Sequence, residues 1–207
     1  PLLITVDGSK SIVYNRDKER NPVDDTLDAQ IVQDAARFLN DGEKMQLDYA
    51  VQNTLRTVGT RTSSHIVQKF GMRNDLQPDH LTVKLRGSAG QSLGAFAAPG
   101  LKLEVSGDAN DYVGKGLSGG TIVVRPPMSS PLVASENTII GNTVLYGATD
   151  GFLFAAGRAG ERFAVRNSGA SVVIEGCGTN GCEYMTGGVA VILGSIGANF
   201  GAGMTGG

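Results

Sequence analysis

The spacing of apolar side chains changes character along this chain. Across Leu27–Leu39 apolar residues recur every three or four positions, which predicts an amphipathic helix with Asp25 or Thr26 as its N-cap and Gly42 as its stop. Across Met45–Val51 apolar and polar residues alternate, as in a strand with one buried face. The pattern therefore predicts that helix gives way to strand shortly after Gly42.

The same patterns divide the rest of the chain. A second helix is predicted over Ser64–Phe70, ended by Gly71, and strand-like alternation returns at 81–85 and 101–105. The charged string Asn15–Arg20 predicts a solvated stretch near the start. We therefore predict a linker from a preceding domain over residues 1–24, a helix that caps the next domain over 25–44, and a glycine-repeat domain over 45–207.

The second half of the chain repeats itself. The segment Gly178–Gly188 aligns without gaps on Gly197–Gly207 at a shift of 19 residues, with Asn180 over Asn199 and the same Met-Thr-Gly-Gly ending. A looser copy, Gly114–Gly120, shares the glycine spacing, and short apolar runs follow the copies at 114–120 and 178–188. Such a repeat must be interpreted before any local motif, because it decides the fold.

A glycine-rich turn followed by a short apolar strand, about every twenty residues, predicts a parallel β-solenoid, an all-β fold in which successive strands pair in parallel. A β-sandwich is the structural alternative. Glycine suits corners where a Cβ would clash or where φ is positive, and we expect Gly187 to lie at a corner of both kinds. The predicted structural turn glycines are Gly114, Gly116, Gly119, Gly120, Gly147, Gly169, Gly187, Gly188, Gly201, Gly203, Gly206 and Gly207.

Composition narrows the function. The 207 residues include 30 glycines and carry a formal net charge of −2, without the basic surplus that nucleic acid or an anionic membrane requires. We therefore expect neither nucleic acid nor membrane as a partner. The N-terminus lacks the features of a signal peptide, which predicts a cytoplasmic setting.

Few residues in the chain suit catalysis or metal binding. Cys177 and Cys182 match neither a redox pair nor a zinc half-site and are predicted to be free thiols, and only His65 and His80 could add imidazole ligands. The G-x-G-x-x-G strings at 114–119 and 201–206 fail as nucleotide loops, because the first leads into a strand-like run and not a helix.

Two groups of acidic residues have an alternative functional interpretation. The first group could form a calcium loop, but the turn glycine and the distal glutamate of such a loop are missing, so an Asx-type turn is favoured. The second group could supply the two carboxylates of a glycosidase, but the chain has 6% aromatic residues and no Trp for sugar stacking, so an ion-paired surface is favoured. The residues are Asp108, Asn110 and Asp111 in the first group, and Glu161, Arg162, Arg166, Glu175 and Glu183 in the second. We predict no catalytic, cofactor-binding or metal-binding residue in this chain.

Four strings, at 107–127, 140–149, 153–169 and 182–188, are similar to the C-terminal glycine-repeat (GXGXG) domain of the glutamate synthase large subunit. The resemblance covers 47–207 strongly and the helix at 27–39 moderately. It implies a right-handed parallel β-helix without a cofactor, a structural part of an enzyme of nitrogen assimilation that makes two glutamates from glutamine and 2-oxoglutarate.

The resemblance also implies where the chemistry lies. The parent enzyme would use an N-terminal cysteine to hydrolyse glutamine, and an FMN and 3Fe-4S domain supplied by NADPH, NADH or ferredoxin; neither cysteine here matches those sites. The implied partners are the amidotransferase and FMN-binding synthase domains of the same large subunit, and a small electron-donating subunit and a homo-oligomer stay open.

Two other functions remain as alternatives: a free-standing assembly subunit of another redox enzyme, and a polysaccharide-active enzyme. Because the last repeat has no evident cap, we expect the native polypeptide to continue past Gly207 and to begin upstream of Pro1.

Overall fold

The structure, a computed structural model, describes residues 25–207. The linker predicted for residues 1–24 lies outside the described residues.

Three α-helices precede or interrupt the first strands: α1 (Leu27–Asp34), α2 (Ala36–Asp41) and α3 (Thr60–Phe70). The single helix predicted from the sequence is thus two helices, separated at Ala35, and Gly42 ends α2 in a left-handed conformation with φ 72°. The helix α3 ends before Gly71 as predicted, but it begins at Thr60 and not at Ser64.

Nine strands form one sheet in which every strand pairing is parallel. The main path through the sheet is β1-β2-β3-β4-β6-β8-β9, and β5 pairs with β3 and β7. The strands are β1 (Met45–Val51), β2 (Leu81–Ala89), β3 (Leu101–Ala109), β4 (Ser118–Arg125), β5 (Thr138–Ile140), β6 (Asp150–Ala155), β7 (Arg158–Ala159), β8 (Ser168–Ile174) and β9 (Gly187–Ile192).

One face of this sheet carries the core. Inward positions of successive strands are in register, so that their side chains form continuous apolar rows, and alternate positions along each strand point outward. The longest such row runs through Leu47, Val83, Leu103, Ile122, Leu153, Val172 and Ala190. The five residues from Val83 to Val172 in this row are buried.

The helices share that core and do not form a separate unit. Ile31 and Phe38, from α1 and α2, and Ile66, from α3, are fully buried in the same apolar cluster as the strand residues. The Phe38 ring lies 5.4 Å from the ring of Phe70 and 5.8 Å from that of His80. The helical segment therefore contributes to the hydrophobic stability of the whole sheet.

The predicted fold class, an all-β right-handed parallel β-helix or solenoid, is wrong. Residues 25–207 form an α/β fold: a nine-stranded parallel sheet with flanking helices that bury side chains in the sheet's own core. The sequence repeat is confined to the second half of the chain and does not predict how α1–α3 pack. The packing of these helices against the sheet is what changes the fold class from all-β to α/β.

Candidate functional site

The segments that enter β3, β4, β6, β8 and β9 share one unusual backbone conformation. In each, three residues spaced two apart have left-handed φ, and a sixth segment of the same kind follows β9. All of these φ values lie between 54° and 70°. The segments, which we call the left-handed turns, are 92–96, 112–116, 143–147, 162–166, 180–184 and 199–203.

Hydrogen bonds join successive left-handed turns. In the turn 112–116, the N–H groups of Tyr112 and Gly116 donate to Asn142 O and Tyr146 O at the following turn, at 2.9 Å each, and the N–H of Gly114 donates to Leu93 O in the preceding turn, also at 2.9 Å. The N–H groups of the first and fifth residues face one neighbouring turn, and the N–H group of the third residue faces the other. The turns therefore form a backbone ladder beside the sheet.

Glycine occupies only some of the left-handed positions. Leu145, Ala164, Cys182 and Phe96 adopt the same conformation, although a left-handed residue with a Cβ costs about 1–2 kcal/mol. A search for glycine motifs misses these residues. The signal that could have found them is the repeat itself: aligning the turns places Leu145, Ala164 and Cys182 over Gly114 and Gly201, and Phe96 over Gly116 and Gly203.

The predicted turn glycines fall into two structural groups. The left-handed group is Gly114, Gly116, Gly119, Gly147, Gly188, Gly201, Gly203 and Gly207. The second group lacks left-handed φ, but a Cβ there would lie within 2.7 Å of an atom in the preceding repeat; it is Gly120, Gly169, Gly187 and Gly206. The expectation for Gly187 was thus half wrong: its Cβ would lie 2.5 Å from Ser168 O, but the left-handed residue is Gly188.

The fifth positions of the turns combine large side chains with glycines, in the order Phe96, Gly116, Gly147, Arg166, Tyr184 and Gly203. A Cβ on Gly116 would lie 2.5 Å from the ring of Phe96, and one on Gly203 would lie 2.5 Å from the ring of Tyr184. Gly147 occupies the same position, with no atom within 4 Å of its Cβ site. The guanidinium of Arg166 lies 5.9 Å from the Tyr184 ring centre, within cation–π distance.

Asn110 and Asp111, two of the residues considered for a calcium loop, accept hydrogen bonds from backbone N–H groups. Asp111 Oδ1 accepts a hydrogen bond from Asn142 N at 2.7 Å, Asn142 Oδ1 accepts one from Glu161 N at 2.8 Å, and Asn110 Oδ1 accepts one from Asp111 N at 2.7 Å. Within residues 25–207 no three His, Cys, Asp or Glu side chains come together as a metal site would require.

The carboxylates considered for glycosidic chemistry are placed differently from one another. Glu183 is 13% exposed and pairs with Arg162 across neighbouring turns, with Nη2 and Oε2 3.2 Å apart. Glu161 is exposed, and one oxygen of Glu175 is buried without a hydrogen-bond partner. The ion-paired interpretation applies to Glu183.

The two cysteines are buried free thiols, as predicted. Burial, together with a smaller effect of the neighbouring Cys177, raises the pKa of Cys182 to about 12; burial also raises the pKa of Cys177. A nucleophilic or metal-binding cysteine needs a lowered pKa, because the thiolate is the reactive form. These thiols are therefore packed as small apolar groups.

A cleft of about 470 Å³ lies between the ends of β2 and β3 and the segment that follows β4. Its lining consists mainly of small and apolar residues, with Arg86 and Asp108 as the charged members.

None of the helices described between residues 25 and 207 has the length and hydropathy that a bilayer crossing demands.

Comparison with known proteins gives relatives that share nearly the whole chain. It is 69% identical to the glutamate synthase [NADPH] large chain of Azospirillum brasilense, 51% identical to the glutamate synthase [NADH] of Schizosaccharomyces pombe, and 52% identical to the ferredoxin-dependent glutamate synthase 2 of Synechocystis. The matches cover 94%, 94% and 89% of this chain. They span only 13%, 9% and 12% of those relatives, respectively.

A family profile described as "GXGXG motif" matches residues 28–207. That range contains all six left-handed turns, whose first, third and fifth residues stand at the spacing of the motif's glycines. The chain therefore belongs to the GXGXG motif family, in the form that is similar to a segment of glutamate synthase large chains.

Proposed function

We propose that residues 25–207 are a structural, non-catalytic domain of a glutamate synthase large chain. The observation that carries the proposal is that the left-handed residues of the motif join neighbouring turns through backbone hydrogen bonds. Those N–H groups are engaged within the fold, so they do not form the anion-binding nest that a phosphate loop presents.

Buried polar side chains near the turns support the same proposal. Asn167 is fully buried, and its Oδ1 accepts hydrogen bonds from Gly169 N at 3.3 Å and Ala170 N at 3.0 Å, while its Nδ2 donates to Ala170 O at 2.9 Å. An amide that makes these bonds holds the entry to β8 in place. Its partners are all backbone groups of this segment, which is a structural role.

The residues present do not fit the cofactors of the parent enzyme. A 3Fe-4S cluster needs three thiolates, whereas the chain has two cysteines, both buried with raised pKa. FMN phosphate is commonly held at a helix N-terminus, whereas the glycine turns lead into strands. We therefore place FMN and the cluster in other parts of the polypeptide.

The proposed parent enzyme makes two glutamates from glutamine and 2-oxoglutarate, in nitrogen assimilation in the cytoplasm. In it, residues 1–24 link this domain to a preceding one, residues 25–44 cover one end, and residues 45–207 form the glycine-repeat body. The names of the relatives support a redox enzyme with NADPH, NADH or ferredoxin as donor. The amidotransferase and FMN-binding synthase domains of the same chain are the proposed partners.

The test uses the full-length enzyme that contains this sequence. Glu183→Gln and Cys182→Ala remove the two most chemically distinctive buried groups of the turns, and we expect kcat for glutaminase and glutamate synthase activity, per folded enzyme, to stay within about twofold. Gly169→Ala is the structural control and should lower the yield of folded enzyme instead. A tenfold fall in kcat for Glu183→Gln or Cys182→Ala, with unchanged melting temperature and flavin content, would overturn the non-catalytic assignment.

A further inference from the structure

The outward face of the sheet changes character between its two halves. Across β1, β2 and β3 most outward positions are polar or charged, and their register places Asp48, Lys84 and Glu104 in one row. Gln46, Thr82 and Lys102 form the row beside it, in which Thr82 is buried. Lys102 and Glu104 form an ion pair. This half of the face is polar.

The other half is mainly apolar at the same outward positions. The charged row continues as Val123, Phe154, Val173 and Val191. In the neighbouring row Phe152 and Val189 alternate with Thr121, which is buried, and Ser171. Phe152 and Phe154 are 44% and 42% exposed, and Val189 and Val191 are 56% and 41% exposed. The two phenylalanine rings stack with centroids 6.2 Å apart and planes 5° from parallel.

These side chains form one continuous surface, which we call the outer apolar face: Val123, Phe152, Phe154, Val173, Val189 and Val191. Paired strands lie about 4.8 Å apart, so residues in one row contact their neighbours. A contiguous apolar surface of this kind is uncommon on an isolated protein and marks an interface. The polar half of the same sheet is an internal comparison, because it has the same parallel backbone but carries polar and charged side chains at its outward positions.

We infer that the outer apolar face packs against an apolar surface of another domain of the same polypeptide. This inference rests on the proposed function. The relatives are far longer than this chain, which spans 9–13% of the three compared above, so most of the polypeptide is available to cover the face. Domains of one chain commonly bury about 600–1,500 Å² against each other. The charged half lies outside the contact or at its rim.

The test is photo-cross-linking in full-length enzyme that contains this sequence. A photoreactive phenylalanine analogue replaces Phe154 in one variant and Lys84 in a matched control on the polar half of the sheet. We expect Phe154 to cross-link in high yield to a peptide outside residues 1–207, and Lys84 to cross-link weakly. Equal yields at the two positions would overturn the inference.

Mixing isotopically light and heavy chains separates the possible occupants. Cross-links that join light only to light and heavy only to heavy peptides support contact within one polypeptide. Mixed pairs would show that a second copy covers the face and would overturn the inference. Glutamate synthase activity of the wild-type enzyme is measured in the same preparation, so loss of the proposed function and loss of the proposed contact are seen separately.

The double variant Phe152→Ser and Phe154→Ser gives an independent measurement. We expect hydrogen exchange to rise in the domain peptide that the cross-link identifies, while exchange within β2 and β3 stays unchanged. Lys84→Ser and Lys102→Ser together form the control and should leave that peptide's exchange unaltered. An identical exchange pattern in the two double variants would contradict a contact at the outer apolar face.

Discussion

At the scale of residues, two separate constraints act on the glycines of this fold. Gly147 has φ 63° with no atom within 4 Å of its Cβ site, so its constraint is conformational. Gly169 has no left-handed φ, but a Cβ there would lie 2.0 Å from Thr149 O, so its constraint is steric. The two positions lie in adjacent repeats and form a natural pair for comparing the two costs.

Replacing each glycine with alanine should separate these costs. We expect Gly147→Ala to lower the free energy of unfolding by about 1 kcal/mol, because only the left-handed conformation opposes it. Gly169→Ala should cost about 3 kcal/mol or more, because the backbone of a neighbouring strand entry must move. Chemical denaturation of both variants measures the difference. If Gly147→Ala were the more damaging of the two, the steric account of Gly169 would be wrong.

At the scale of elements, a buried carboxylate joins two helices that are distant in sequence. Asp28 of α1 is buried, and its Oδ2 accepts a hydrogen bond from Arg61 N at 2.7 Å, while its Oδ1 accepts hydrogen bonds from Thr62 N, at 3.3 Å, and from the Thr62 hydroxyl. The first turn of α3 has N–H groups without intrahelical partners, and Asp28 satisfies two of them. The capping residue of α3 is therefore supplied by another helix.

Removing this cap should destabilise the protein measurably. We expect Asp28→Ala to lower the free energy of unfolding by about 2 kcal/mol, because it leaves buried N–H groups of α3 unpaired. Asp25→Ala is the control: Asp25 is exposed and pairs with Arg61 at 3.4 Å, a surface contact worth at most about 1 kcal/mol. Thermal and chemical denaturation measure both. Equal effects of the two substitutions would contradict a capping role for Asp28.

At the scale of the whole molecule, each repeat is stabilised by its contacts with neighbouring repeats. Each left-handed turn depends on the turns on either side for its hydrogen bonds, and each strand of the main path pairs with the next. Within the described residues, the turn 199–203 has a preceding turn but no following one, and β9 pairs with β8. The interior repeats are consequently held on two sides, and this last one is held on one side.

Hydrogen exchange on a polypeptide of these 207 residues should reveal that gradient. We expect the slowest exchange in β3 and β4 and the fastest sheet exchange in 189–207, since local opening costs least where the neighbours are fewest. Within the turns, the N–H of Gly116, bonded to Tyr146 O at 2.9 Å, should exchange more slowly than that of Gly203. Uniform protection from β3 to Gly207 in a monomer would contradict this account.

The sequence by itself determined the local elements and the repeat. The alternation at Met45–Val51, the helical period that begins at Leu27 and the stops at Gly42 and Gly71 reappear in the structure, because short-range periodicity reports which side chains can face a core. The repeat reappears as parallel pairing, because Ser168 pairs with Gly187, and Thr186 and Gly206 of the last two copies are bridged in the same way. Both cysteines were correctly predicted to be free.

Only the tertiary structure decided the features that depend on distant contacts. The start of α3 at Thr60 follows from Asp28, which lies 34 residues before Thr62, and no local signal marks it. The left-handed conformation of Leu145 and Ala164 is held by hydrogen bonds to neighbouring turns, against the intrinsic preference of those residues. The fold class was likewise decided by the burial of Ile31, Phe38 and Ile66 in the core of the sheet. The spacing of apolar residues along a helix or a strand does not predict which other element it packs against.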